Sequence, residues 1–179
     1  MNDELRKHTC CFFGHRRIKK TIETEQKLQE IIEKLITENG VDTFLFGSKS
    51  EFDKLCYLVV SKLRTKYSHI KRIYVRAEFP YVDNDYRAYL LEFYEDTYYP
   101  KSLINSGRAV YVERNYKMID NSYYCVVYYD KNHIPTVRKR SKKDLVGYQP
   151  NSGTRLAYDY AKKKNVKIIN ITDLDAYLY

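Results

Sequence analysis

The chain has 179 residues, 44% hydrophobic and 31% charged, and its 32 Lys and Arg against 23 Asp and Glu give a net charge of +9. That balance, with only 6 Gly and 4 Pro, excludes a disordered or collagen-like chain. No apolar run approaches the roughly 18 residues needed to cross a bilayer, and the opening Asp3-Glu4-Leu5-Arg6-Lys7 carries no export signal; a cytoplasmic protein with no membrane partner is expected.

The length suits one domain, and no repeat or linker divides residues 1–179. Thr9-Cys10-Cys11-Phe12-Phe13, stopped by Gly14, is a continuous apolar run of the kind buried on both faces in a parallel sheet. Residues 23–39 place Leu28, Ile31, Ile32, Leu35 and Ile36 at helical spacing, and Asn39-Gly40 supplies the stop. A second strand over 41–46 ends at Gly47, a helix over 51–67 carries Phe52, Leu55, Leu58, Val59 and Leu63, and a third strand spans 70–75. Strand and helix in alternation predict a Rossmann-like α/β fold, a mostly parallel central sheet with helices on both faces.

The second half continues this rhythm with helices over 107–121 and 152–164 and strands over 123–129 and 166–171. Two stretches interrupt it. Residues 80–108, rich in Tyr and acidic side chains, hold a short helix over 87–95 and a turn at Tyr98-Tyr99-Pro100; residues 130–149 are polar and basic, with the run Arg138-Lys139-Arg140-Ser141-Lys142-Lys143. Both are expected to project from the sheet edge. The Tyr-rich stretch is also the expected surface for a homo-oligomer.

Cys10, Cys11, Cys56 and Cys125 lie in apolar stretches without zinc spacing and read as reduced core residues. No cofactor or metal is expected. A +9 charge favours anionic partners; nucleic acid is possible but not favoured, because no helix-turn-helix or zinc-finger pattern accompanies the charge.

Ligands of open parallel sheets bind outside the carboxyl ends of the strands. Gly14-His15-Arg16 and Gly47-Ser48 follow the first two strands, and Ser152-Gly153-Thr154 precedes the last helix, where free N–H groups favour an anion. Arg16 offers a planar fork to phosphate oxygens. Ser152 also reads as a helix N-cap.

Cys11-Phe12-Phe13-Gly14-His15-Arg16, Thr43-Phe44-Leu45-Phe46-Gly47 followed by Phe52-Asp53, the run from Arg114-Asn115 to Ser122, and Ser152-Gly153-Thr154 with Tyr160-Ala161-Lys162-Lys163-Lys164 stand in that order along most of the chain. Together they resemble the YpsA-like branch of the SLOG superfamily, whose members include single-stranded-DNA-binding processing factors, nucleotide phosphoribohydrolases and sensors of cyclic ADP-ribose-type signals in antiphage defence. The resemblance implies a ligand site made of Gly14, His15, Arg16, Gly47, Ser48, Asp53, Arg114, Asn115, Ser152, Gly153 and Thr154. Structural readings stand beside it: Gly47 as a strand terminator, Asp53 as the partner of a nearby Lys, Arg114 and Asn115 as surface residues of a helix.

Two departures from the family pattern matter. Ser48-Lys49-Ser50-Glu51 replaces a more glycine-rich loop, and Leu156 stands two residues after Thr154, where the phosphoribohydrolases carry a catalytic Glu. Without that carboxylate, non-catalytic binding of a nucleotide-derived molecule, ADP-ribose or a cyclic ADP-ribose-like signal, is expected, as a sensor or a sequestering sponge in phage–bacterial conflict. N-glycosidic hydrolysis, with Asp53 or Glu113 as substitutes, is the second reading, and a YpsA-like regulatory role in cell division or stress response the third.

Overall fold

The computed structural model describes residues 3–77, 84–101, 103, 109–133 and 152–173. A short helix α1 (Asp3–Lys7) leads into β1 (Thr9–Gly14), α2 (Ile22–Thr37), β2 (Thr43–Phe46), α3 (Glu51–Arg64) and β3 (Lys71–Val75). Then follow α4 (Asn84–Phe93), β4 (Asp96–Tyr98), α5 (Ala109–Asp120), β5 (Tyr124–Tyr128), α6 (Gly153–Lys163) and β6 (Lys167–Asn170). The six strands form one all-parallel sheet in the order β4-β3-β2-β1-β5-β6. The chain winds outward from β1 to β4, then returns to lay β5 on the other side of β1, so the strand order reverses between β1 and β5.

The alternation along β1 divides the core. Cys10 and Phe12 face α2 and α3, packing with Leu28, Ile32, Phe44, Phe46 and Phe52, whereas Cys11 and Phe13 face α5 and α6, packing with Leu45, Met118, Ile119, Ala157 and Ala161. Phe12, Phe44, Phe46 and Phe52 are fully buried, each contributing about 2 kcal/mol of apolar burial, so the α2–α3 layer is the heavier one. All four cysteines are buried thiols, as expected; burial pushes Cys10, Cys56 and Cys125 well above the ordinary thiol range.

The predicted helices and strands all appear, with ends shifted by a few residues. Gly40, with φ of +63°, takes the left-handed conformation that turns the chain from α2 toward β2.

The sequence reading places Tyr98 in a turn, but Asp96-Thr97-Tyr98 is the edge strand β4, paired with Ile73, Tyr74 and Val75. Part of the 80–108 stretch therefore extends the sheet rather than projecting from it. The strand is three residues long and one of them is Asp, so it shows neither an apolar run nor an alternation. It is held by Glu95, whose carboxylate accepts from Nε and Nη2 of Arg72 at 3.1 and 2.6 Å, and by Thr97 Oγ1, which donates to Tyr74 O at 2.9 Å. Residues 78–83, 102, 104–108 and 134–151, including the basic run at 138–143, lie outside the described residues.

Candidate functional site

A cleft of about 930 Å³ opens over the carboxyl ends of β1, β2 and β3. It gathers Gly14, His15, Arg16, Gly47, Ser48, Arg114, Asn115, Ser152, Gly153 and Thr154 on its walls. Asp53 is not among them.

The β1 wall is clasped to the start of α3. Glu51 N–H donates to Arg16 O at 3.0 Å, and the Glu51 carboxylate accepts from Ile18 N–H at 3.0 Å, which fixes the loop and leaves the Arg16 side chain exposed toward the cleft. Gly14 is a glycine for packing: a Cβ there would fall inside the Phe52 side chain. His15 is only 3% exposed, and its Nε2 accepts from Asp130 N–H at 3.1 Å, a role open only to the neutral ring. Its ring stacks on His133, centroids 3.8 Å apart and 17° from parallel. Burial, then the neighbouring His133, lowers the His15 pKa below the usual 6.5. The ring is therefore neutral near pH 7 and keeps Nδ1–H as its donor.

The β2 wall rests on Arg114. Rather than lying on the surface of α5, this side chain is 3% exposed. Its Nη1 donates to Gly47 O and to Val75 O, the latter at 2.9 Å, while Nε donates to Asn115 Oδ1 at 3.0 Å. A Cβ on Gly47 would collide with this guanidinium, so glycine there does more than end a strand. Asp53, in the first turn of α3, sits behind the same loop, 3% exposed, and its Oδ1 finds no hydrogen-bond partner among the described residues. Burial raises its pKa from 3.8 to about 7, against the opposing pull of Arg114 and of the backbone at Ser48 and Gly47. The positive charge that acts on it is that of Arg114 rather than a nearby lysine.

The third wall is the start of α6. Ser152 is its N-cap, accepting from Arg155 N–H at 3.2 Å, so the capping reading holds for its hydroxyl. No described residue accepts from the N–H groups of Gly153 and Thr154, and a Cβ on Gly153 would meet nothing within 4 Å. Among the described residues these two backbone donors at the positive end of an 11-residue helix have no acceptor.

The structure adds residues that the sequence reading missed. Lys49, Arg76 and His133 line the cleft, and Tyr86 and Tyr111 stand on it at 38% and 39% exposure. Arg76 and His133 follow the carboxyl ends of β3 and β5, so the rule that picked the loops after the first two strands finds them too. Among the described residues the cationic side chains on the cleft are Arg16, Lys49, Arg76 and Arg114, and no carboxylate lines it. Leu156 and Glu113 lie off the walls. Among the described residues no helix is long and apolar enough to cross a membrane, and no group of three or more metal-ligating side chains occurs.

No protein-family model matches the chain, and no curated protein matches it. Among solved structures the chain is similar to DNA processing protein A from Helicobacter pylori, whose structural description concerns its single-stranded DNA binding mode. The two share 14% sequence identity with a TM-score of 0.52, over 93% of this chain and 67% of that one. At that identity the likeness establishes a shared Rossmann-like α/β fold.

Proposed function

We propose that the cleft reversibly captures a nucleotide-derived small molecule, ADP-ribose or a cyclic ADP-ribose-like signal, and that the chain acts in the cytoplasm as a SLOG-like, YpsA-type sensor or sequestering protein. The observation that carries this reading is the charge of the cleft: four cations line it and no described carboxylate does. Arg16 and the amides of Gly153 and Thr154 take phosphate oxygens. Tyr86 and Tyr111 offer flat faces to a base, and a volume of about 930 Å³ lies within the range of small-molecule and cofactor sites.

Capture is favoured over N-glycosidic cleavage. An oxocarbenium-like transition state needs a carboxylate beside the sugar, and Asp53 lies behind Gly47 and Ser48. Self-association through the exposed Tyr89, Leu91 and Phe93 of α4 belongs to the same reading. Denaturing freshly purified protein and identifying the released small molecules by mass spectrometry is the test. An intact nucleotide-derived ligand, lost from an Arg16→Ala variant that remains folded, is the expected result; an unchanged yield from that variant contradicts it.

A second reading, binding of single-stranded nucleic acid, is favoured by the +9 charge and by the DNA-binding fold neighbour. It predicts affinity that falls steeply with salt.

A further inference from the structure

Two clefts open on the carboxyl edge of the sheet. The second, about 790 Å³, lies over the ends of β5 and β6 against the start of α2. His133 lines both, and because its ring stacks on His15 at 3.8 Å, the histidine pair forms the ridge between them. Asp130 ties the ridge to the second cleft: its N–H donates to His15 Nε2 and its side chain lines that cleft.

The two clefts differ in chemistry. The first presents cations without described carboxylates, whereas the second mixes four cations with Glu23, Asp130 and Asp173 and is floored by Tyr128 and Tyr129. Phosphate oxygens require donors and positive charge, while ribose hydroxyls are bound by carboxylate acceptors. Glu23 and Asp173 are exposed, and neither side chain bonds a described residue. Both clefts adjoin the point where the strand order reverses, between β1 and β5: each draws on the segment after β1, the first adding the ends of β2 and β3 and the start of α6, the second the ends of β5 and β6, and a doubly wound sheet holds a two-part ligand across such a point.

We infer that the two clefts are halves of one extended site, and that its ligand is a dinucleotide: two nucleoside units joined by a phosphate chain. The phosphates sit in the first cleft against Arg16 and the α6 amides, and the second nucleoside crosses the His15–His133 ridge to place its ribose hydroxyls on Glu23 and Asp173. This inference rests on the nucleotide-binding reading of the first cleft. It differs from that reading in requiring the second.

The experiment is calorimetric titration of the full chain with ADP and with diadenosine diphosphate, which share a pyrophosphate and differ by one nucleoside. Diadenosine diphosphate is expected to bind at least tenfold more tightly. The surface variant Glu23→Gln/Asp173→Asn is expected to reduce that advantage to less than threefold with ADP affinity unchanged, while Arg16→Ala weakens both ligands. Equal affinities in the unaltered protein, or an advantage that survives the double variant, overturn the inference and leave the first-cleft reading standing. Binding of neither ligand overturns both. Affinity for oligothymidylate that grows with strand length, above that for diadenosine diphosphate, overturns the dinucleotide class in favour of a nucleic-acid strand.

Discussion

The loop after β2 and the first turn of α6 reach the same cleft with similar sequences, Gly47-Ser48 and Gly153-Thr154, yet they are built in opposite ways. At Gly47 the space of a side chain is filled by the Arg114 guanidinium; at Gly153 nothing lies within 4 Å of it. One glycine serves packing; the other leaves the room that the proposed ligand would use. A glycine on the cleft acquires its meaning from the element packed over it. Gly14, filled by Phe52, belongs with Gly47.

The largest effect should come from removing what fills Gly47. Arg114→Met leaves the buried carbonyls of Gly47 and Val75 without that donor and removes the positive charge that acts on Asp53; a loss of about 3–5 kcal/mol is expected in urea denaturation at pH 7. A loss below about 1 kcal/mol would mean that the arginine does not hold the loop. Gly47→Ala forces the guanidinium aside and should cost about 1–3 kcal/mol; full stability in that variant would erase the contrast with Gly153.

Asp53 sharpens the same contrast through pH. Its pKa is about 7 in the fold against an ordinary 3.8, so the unfolded chain ionises from about pH 4 while the folded carboxyl stays protonated until near 7. Its contribution to stability is therefore full below pH 4, falls as pH rises through that window, and stays low above it. Asp53→Asn should flatten this part of the profile and stabilise the protein at pH 8 by about 1–2 kcal/mol, less than the full linkage value because water entry relaxes the buried charge. An unchanged pH profile of denaturation midpoints would show that the carboxyl is not perturbed.

The smallest effect on stability belongs to Gly153→Ala. With open space at that position, the change should stay within about 0.5 kcal/mol, while the added methyl weakens ADP binding severalfold in calorimetry. A large loss of stability would place Gly153 with Gly47 and break the comparison.

Much of this arrangement is legible in the sequence, because strand ends in a parallel sheet converge on one edge. The apolar runs ending at Gly14 and Gly47 locate two walls, and Ser152 reads as the cap it proves to be. What pattern does not carry is depth. Arg114 and Asp53 look like surface charges on amphipathic helices, but each is 3% exposed; the approach of α5 to the β2 loop turns one into a support, and burial at the start of α3 turns the other into a perturbed carboxyl. His133 is hidden for a related reason. It sits in a polar stretch, and its role arises from stacking on a residue 118 positions earlier, His15. The edge strand β4 escapes notice because a three-residue strand is fixed by the Arg72–Glu95 pair beside it, not by its own composition.

The central claim is that phosphate oxygens rest on the free amides at the start of α6. Following the backbone amide resonances of ¹⁵N-labelled protein during titration with ADP tests it most directly. Saturable shifts of the Gly153 and Thr154 amides, absent in Arg16→Ala at the same ADP concentration, are the predicted result. Amides at 153 and 154 that stay unmoved while resonances elsewhere saturate would contradict it.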